Sequence, residues 1–220
     1  MNRRLENKVA LVTGAGSGLG AATATRFAEE GAHVFLTDIN LDSVASIATA
    51  ITDAGGKATA RRQDVTDEAD WDVLMQEIIT DEGHLDILVN NAGTTKFVDH
   101  SDLHGLSSYD FQHIYGVNVI GSYQMIRAVS EQMQSQEEGG AVVNVASTAA
   151  VTGIGSSVAY AASKGALVTM TLSLARSLGP KLRINAVCPG FIEGDWLRDG
   201  LGDQKYEELI AFHRENSPLG

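Results

Sequence analysis

A single cysteine, Cys188, stands in 220 residues, so no disulfide can form within the chain and a reducing compartment, the cytoplasm, is expected. Cys188 has no histidine near it in sequence, and inside the apolar run INAVCPG it reads as a small buried hydrophobe. Positive charge is also scarce: 16 Lys and Arg face 28 Asp and Glu, a formal net charge of -12. That balance argues against nucleic acid or an anionic membrane as a partner. No apolar run approaches the ~18 residues that cross a bilayer. The N-terminus begins with charge but has no long apolar region and no small-residue cleavage site. Low-complexity tracts, linkers and repeats are missing too. With 44% hydrophobic residues, the chain can bury a substantial core, and one domain over 1–220 is expected.

What is present is an alternation. Apolar runs at 8–13, 33–38, 57–65, 85–90, 141–147 and 182–188 read as strands, several of them apolar on both faces as in a parallel sheet covered on two sides. Segments 18–30, 41–54, 67–82, 106–135 and 157–178 read as helices. Strand–helix alternation predicts right-handed crossovers and an α/β fold with a doubly wound, mostly parallel sheet.

The first strand runs into TGAGSGLG, residues 13–20, and then into a helix. Glycines there let the backbone turn sharply and approach a pyrophosphate at the helix N-terminus. Asp38 ends the second strand, 24 residues after Gly14, where a carboxylate meets an adenosine ribose. A carboxylate accepts from the 2′- and 3′-hydroxyls and repels a 2′-phosphate, and the turn carries no Lys or Arg. NAD is therefore expected over NADP. Further along, SVAYAASKGAL places Tyr160 and Lys164 four residues apart, on one face of a helix.

Taken together, these motifs resemble those of the short-chain dehydrogenase/reductase family, over nearly the whole chain from KVALVTGAGSGLG to SPLG. Thr13, Gly14, Gly18 and Gly20 match the family's cofactor turn, and Ser17, Leu19 and Ile39 fall beside it as further contacts. Asp64 and Val65 match the pair that flanks the adenine. NNAG at 90–93, with Asn91, Ala92 and Gly93, matches the segment supporting the cofactor. Pro189 and Gly190 match the turn beside the nicotinamide. Asn118, Ser147, Tyr160 and Lys164 match the four catalytic positions.

The resemblance implies a Tyr160 phenolate, favoured by the Lys164 ammonium and the nicotinamide charge, that exchanges a proton with the substrate oxygen while hydride moves. Ser147 would hold that oxygen, Lys164 the nicotinamide ribose, and Asn118 a water relaying protons to Lys164. It also implies pairing of the two long helices, so a homodimer or homotetramer is expected. The runner-up is a nucleotide-sensing or scaffold protein that kept the fold and lost turnover.

Two departures stand out. PGFIEGDW has no hydroxyl where the family commonly has Thr, and no Ser or Thr follows until Ser217, which leaves backbone around Ile192 to hold the nicotinamide amide. The chain stops at SPLG, where the family continues, so a further helix and strand are expected beyond Gly220. The pocket wall is expected at Thr94–Lys96, Thr148–Val151 and a lid over 191–214, where Phe191, Trp196 and Leu197 sit beside four carboxylates. These point to a small neutral, fairly apolar alcohol or ketone. His100, Asp102 and His104 are close in sequence, but structural metal sites need three or four committed ligands, so no metal is expected.

Overall fold

Five consecutive buried residues, Val9–Thr13, form strand β1 in the computed structural model, which describes residues 3–216. They are apolar on both faces because β1 lies inside the sheet, between β2 (His33–Asp38) and β4 (Ile87–Asn90). With β3 (Lys57–Arg62), β5 (Gly140–Val145) and β6 (Leu182–Val187) the sheet has six parallel strands in the order β3-β2-β1-β4-β5-β6. The order reverses between β1 and β4, and that reversal opens a crevice beyond the carboxyl ends of the strands.

Helices cover both faces. On one, α1 (Gly18–Glu29) and α2 (Leu41–Asp53) place Ala24, Ala28, Val44 and Ile51 over Ala10, Val12, Val34 and Leu36. On the other, α3 (Glu68–Glu82) and α5 (Ser122–Ser135) place Trp71, Ile78, Met125 and Val129 over Leu11, Phe35, Leu88 and Val142. Each of the larger aliphatic side chains among them contributes about 1.5–3 kcal/mol on leaving water. Local signals fix the helix starts: Asn40, Asp67 and Ser157 accept from the first-turn N–H groups of Ser43, Ala69 and Tyr160.

The structure departs from the sequence reading in several places. β3 ends at Arg62, so Asp64 and Val65 lie in the loop beyond it. The expected helix 106–135 is α4 (Ser108–Tyr115), a π-helical turn (Gly116–Gly121) and α5. A short α6 (Ala149–Thr152) precedes α7 (Val158–Leu178), and the lid segment holds α8 (Asp195–Leu201) and α9 (Asp203–Asn216). Cys188 is exposed, not buried, because it follows the last residue of β6. By length and composition α7 could cross a membrane, yet it packs on β5 and β6 with Lys164 and Thr171 buried. Ser217 and the SPLG segment lie outside the described residues.

Candidate active site

The site begins with the turn after β1. Thr13 Oγ1 accepts from the N–H groups of Asn91 (3.1 Å) and Ala92 (3.0 Å), and Asn91 Nδ2 donates to the Thr13 and Gly14 carbonyls at 3.1 and 2.9 Å. The turn is thereby locked to the NNAG segment. Gly14 has φ +61, and a Cβ there would lie 2.7 Å from Ala92 Cα, so only glycine fits. A Cβ on Gly20 would meet Asn91 Nδ2 at 2.5 Å. Ser17 caps α1 without a side-chain hydrogen bond, leaving its first-turn N–H groups open to an anion.

Asp38, at the carboxyl end of β2, accepts from Gly16 N–H (3.2 Å) and Asn40 N–H (3.0 Å). A carboxylate has about four acceptor sites, so two backbone donors leave room for ribose hydroxyls. Gly16 approaches so closely that a Cβ would stand 3.0 Å from Asp38 Oδ2.

Gly14, Ser17, Gly18, Leu19, Asp38, Asn91, Ala92, Gly93, Ser147, Tyr160, Lys164, Pro189, Gly190 and Ile192 all line one cavity of about 1150 Å³. Five expected site residues do not line it. Gly20 lies in α1 beneath the turn, and Ile39 points to solvent. Asp64 accepts from the Thr66 N–H and hydroxyl at 2.9 and 2.7 Å, which hold its carboxyl below the usual range. Val65 is buried against Gly121. Asn118, fully buried in the π-helical turn, accepts from Thr94 N–H (2.8 Å) and donates to Thr94 O (3.0 Å) and Ser163 Oγ (2.9 Å). Its amide is thus tied to the cavity wall and to α7.

Ser147 follows β5 by two residues, and its hydroxyl accepts from Ala149 N–H at 3.1 Å. Tyr160 and Lys164 come from α7, with Nζ 5.7 Å from the phenol ring centre. Nζ donates to Val145 O at 2.8 Å, which leaves two of its three donors. Burial pushes the Lys164 pKa down to about 8, partly opposed by the nearby Cys188 thiol. Burial likewise raises the Tyr160 phenol, and its hydrogen bond with Ser147 offsets only part of this. The expected lowering counted the nicotinamide charge together with Lys164, and burial works against both. The ammonium faces the ring, while the apolar wall penalises the phenolate along the whole side chain.

The substrate end of the cavity departs from expectation as well. Its wall is Phe97–His100, Thr152 and Ile154–Ser156 rather than Thr94–Lys96 and Ala149–Val151, with Thr148 retained. Lys96 instead pairs with Asp110 at 2.9 Å. Phe97 and Gly155 carry no motif; they reach the site only because Val98 N–H donates to Ser156 O (2.9 Å), joining two loops distant in sequence. Among the described residues, no group of three His, Cys, Asp or Glu converges as a metal site. Asp102 accepts from His104 N–H, and His100 Nε2 lies 3.1 Å from Gly155 O.

The cradle closed by Gly14 and Gly20, the open start of α1 and the Asp38 carboxylate together fit a dinucleotide. Comparison with known proteins agrees. Residues 8–204 match the family model described as short chain dehydrogenase. Galactitol 2-dehydrogenase of Agrobacterium fabrum is 37% identical over 87% of this chain and 73% of its own length. The 7alpha-hydroxysteroid dehydrogenase of Escherichia coli is 36% identical over 95% and 80%. The crystal structure of NAD+-bound xylitol dehydrogenase superposes with a TM-score of 0.82 at 33% identity, over 94% of this chain and 76% of that one. The chain therefore belongs to the short-chain dehydrogenase/reductase family.

Proposed function

We propose that this oxidoreductase is an NAD-dependent dehydrogenase or reductase acting on a neutral secondary alcohol or ketone. The observation that carries the reading is that Ser147, Tyr160 and Lys164 stand on the same cavity wall system as the Gly-rich turn and Asp38. A protein that only sensed a nucleotide would need the turn and the carboxylate, not a phenol and an ammonium at the far end.

A bound nicotinamide supplies the hydride acceptor or donor. The chain's own groups do the rest. Asp38 accepts from ribose hydroxyls, and Ser17 with the first turn of α1 receives the pyrophosphate. Lys164 has two donors free for the second ribose. Backbone around Ile192 faces the cavity where the amide would lie. Ser147 holds the substrate oxygen by hydrogen bond, and Tyr160 Oη takes its proton in oxidation and returns it in reduction. Lys164, charged below about pH 8, and the positive charge of the oxidised cofactor both favour the phenolate against the burial that opposes it. The Asp38, Asp99, Glu193 and Asp195 carboxylates around the cavity disfavour an anionic substrate. A cytoplasmic homodimer or homotetramer completes the proposal.

The test is a panel of neutral alcohols and ketones followed by NADH fluorescence, run in parallel with NADP(H). Turnover with kcat/KM at least about tenfold higher for NAD, ~1.4 kcal/mol in the transition state, is the expected result. Equal kcat/KM for both cofactors would refute the assignment of Asp38, and NADH binding with no turnover of any compound would leave a sensor.

A further inference from the structure

Several polar side chains at or beside the substrate end of the cavity are already engaged with their neighbours. Thr95 Oγ1 and Ser156 Oγ lie 2.6 Å apart, and Thr152 Oγ1 donates to Thr148 O at 2.9 Å while accepting from Ile154 N–H. Asp99 accepts from both the N–H and the hydroxyl of Ser101. Glu193 faces Arg214 at 3.6 Å. Asp195 and Lys205 are exposed to solvent.

What the cavity offers freely is apolar and unusually exposed. Ile154, Ile192 and Trp196 line it with 78%, 44% and 48% of their surface open. Trp196 is the pivot. Its ring lies 5.9 Å from that of Tyr160 at an interplanar angle of 48°, and 5.6 Å from that of Phe97 at 59°. Gly155 closes on the Tyr160 ring, since a Cβ there would stand 3.4 Å from Tyr160 Cδ1. A molecule with its oxygen at Tyr160 therefore lays its body against the corner made by Trp196 and Phe97.

We propose that Trp196 is the specificity-determining residue of this enzyme, and that the substrate is a ketone or secondary alcohol built on a flat, apolar ring system. A ring presents broad CH faces to two tilted aromatic planes, which bury large area at low entropic cost. An open-chain polyol brings hydroxyls that must give up water against this apolar corner. Polyols are accordingly disfavoured, although relatives named for galactitol and xylitol share the fold. The inference rests on the alcohol–ketone reading above.

Trp196 also reports on its own role. The chain has two tryptophans, and Trp71 is buried at 2% exposure. With NAD bound, the saturated bicyclic ketone 2-decalone should shift the emission of the wild-type protein to the blue, and Trp196→Phe should abolish the shift. In turnover, the ratio of kcat/KM for 2-decalone over 2-butanone should fall about tenfold in Trp196→Ala, chiefly through KM, and recover in Trp196→Phe. D-sorbitol should be oxidised more slowly than 2-decalol. A blue shift without turnover of any compound would sustain the binding corner and overturn the enzymatic reading. Sorbitol preferred over 2-decalol, no emission shift, or an unchanged ratio in Trp196→Ala would each overturn the proposal while leaving alcohol oxidation intact.

Discussion

At the scale of single residues, the contest at Tyr160 and Lys164 is between burial and charge. Both groups are pushed toward their neutral forms, Lys164 down to about 8 and the phenol upward. The sign for stability follows. Between about pH 8 and the ordinary lysine value of 10.5, the unfolded chain binds this proton and the folded chain does not. Stability therefore rises with pH across that window, by up to about 3 kcal/mol at 1.36 kcal/mol per unit. Denaturant midpoints of the wild type and Lys164→Met at pH 7.5 and 10 check this: the variant should gain on the wild type at the lower pH and lose that advantage at the higher. An advantage independent of pH would mean that folding does not lower the Lys164 pKa. The four-residue spacing of Tyr160 and Lys164 was legible in the sequence, because helical spacing is a local property. The direction of the tyrosine shift was not, because burial depends on Gly155 and Trp196, which arrive from other parts of the chain.

At the scale of elements, the segment expected to act as a lid is jointed. α8 lies between Gly194 and Gly202, the latter with φ +77. Gly194 N–H donates to Tyr206 Oη at 3.1 Å, and the Arg198 guanidinium sits 4.5 Å above the Tyr206 ring. The inner face of α8 meets Phe97 at Gly200, where an added Cβ would overlap the ring. Because Phe97 also packs on Trp196, the helix and not the ring must yield. Gly200→Ala should therefore raise KM for substrate about five- to tenfold, with the Kd for NADH unchanged. Stopped-flow binding with steady-state kinetics checks it; an unaltered KM would show that α8 does not close on Phe97. Sequence reading placed a lid over 191–214 from its composition. It did not divide 106–135: Gly116 and Gly121 bracket the π-helical turn, but the contacts that hold it, Asn118 with Thr94 and Ser163, are made between residues distant in sequence.

At the scale of the whole molecule, the doubly wound parallel sheet was legible because strand and helix alternate cleanly and parallel crossovers have one hand, whereas the order of its strands came from the fold. The cofactor half of the cavity was legible for a similar reason: the turn, Asp38 and NNAG each sit at a strand end. The substrate half was not, since Phe97 and Gly155 meet only in the fold. Assembly stands between the two. Ile114, Met125 and Leu167 are buried in the subunit, whereas Phe111, Ile120, Tyr123, Val158 and Leu172 remain exposed along α4, the π-helical turn, α5 and α7. An apolar surface spread over adjacent helices favours self-association. Sedimentation velocity at micromolar concentration should show a dimer or tetramer, and a monomer alone would contradict that proposal.

The central claim is that Tyr160 exchanges a proton with substrate at a site that binds the cofactor independently of it. The direct measurement is turnover and NADH affinity of Tyr160→Phe, which keeps the ring against Trp196 and removes only the hydroxyl. The account predicts turnover lowered by at least ~10²-fold with the NADH Kd within about threefold of wild type. Turnover near that of the wild type would contradict it.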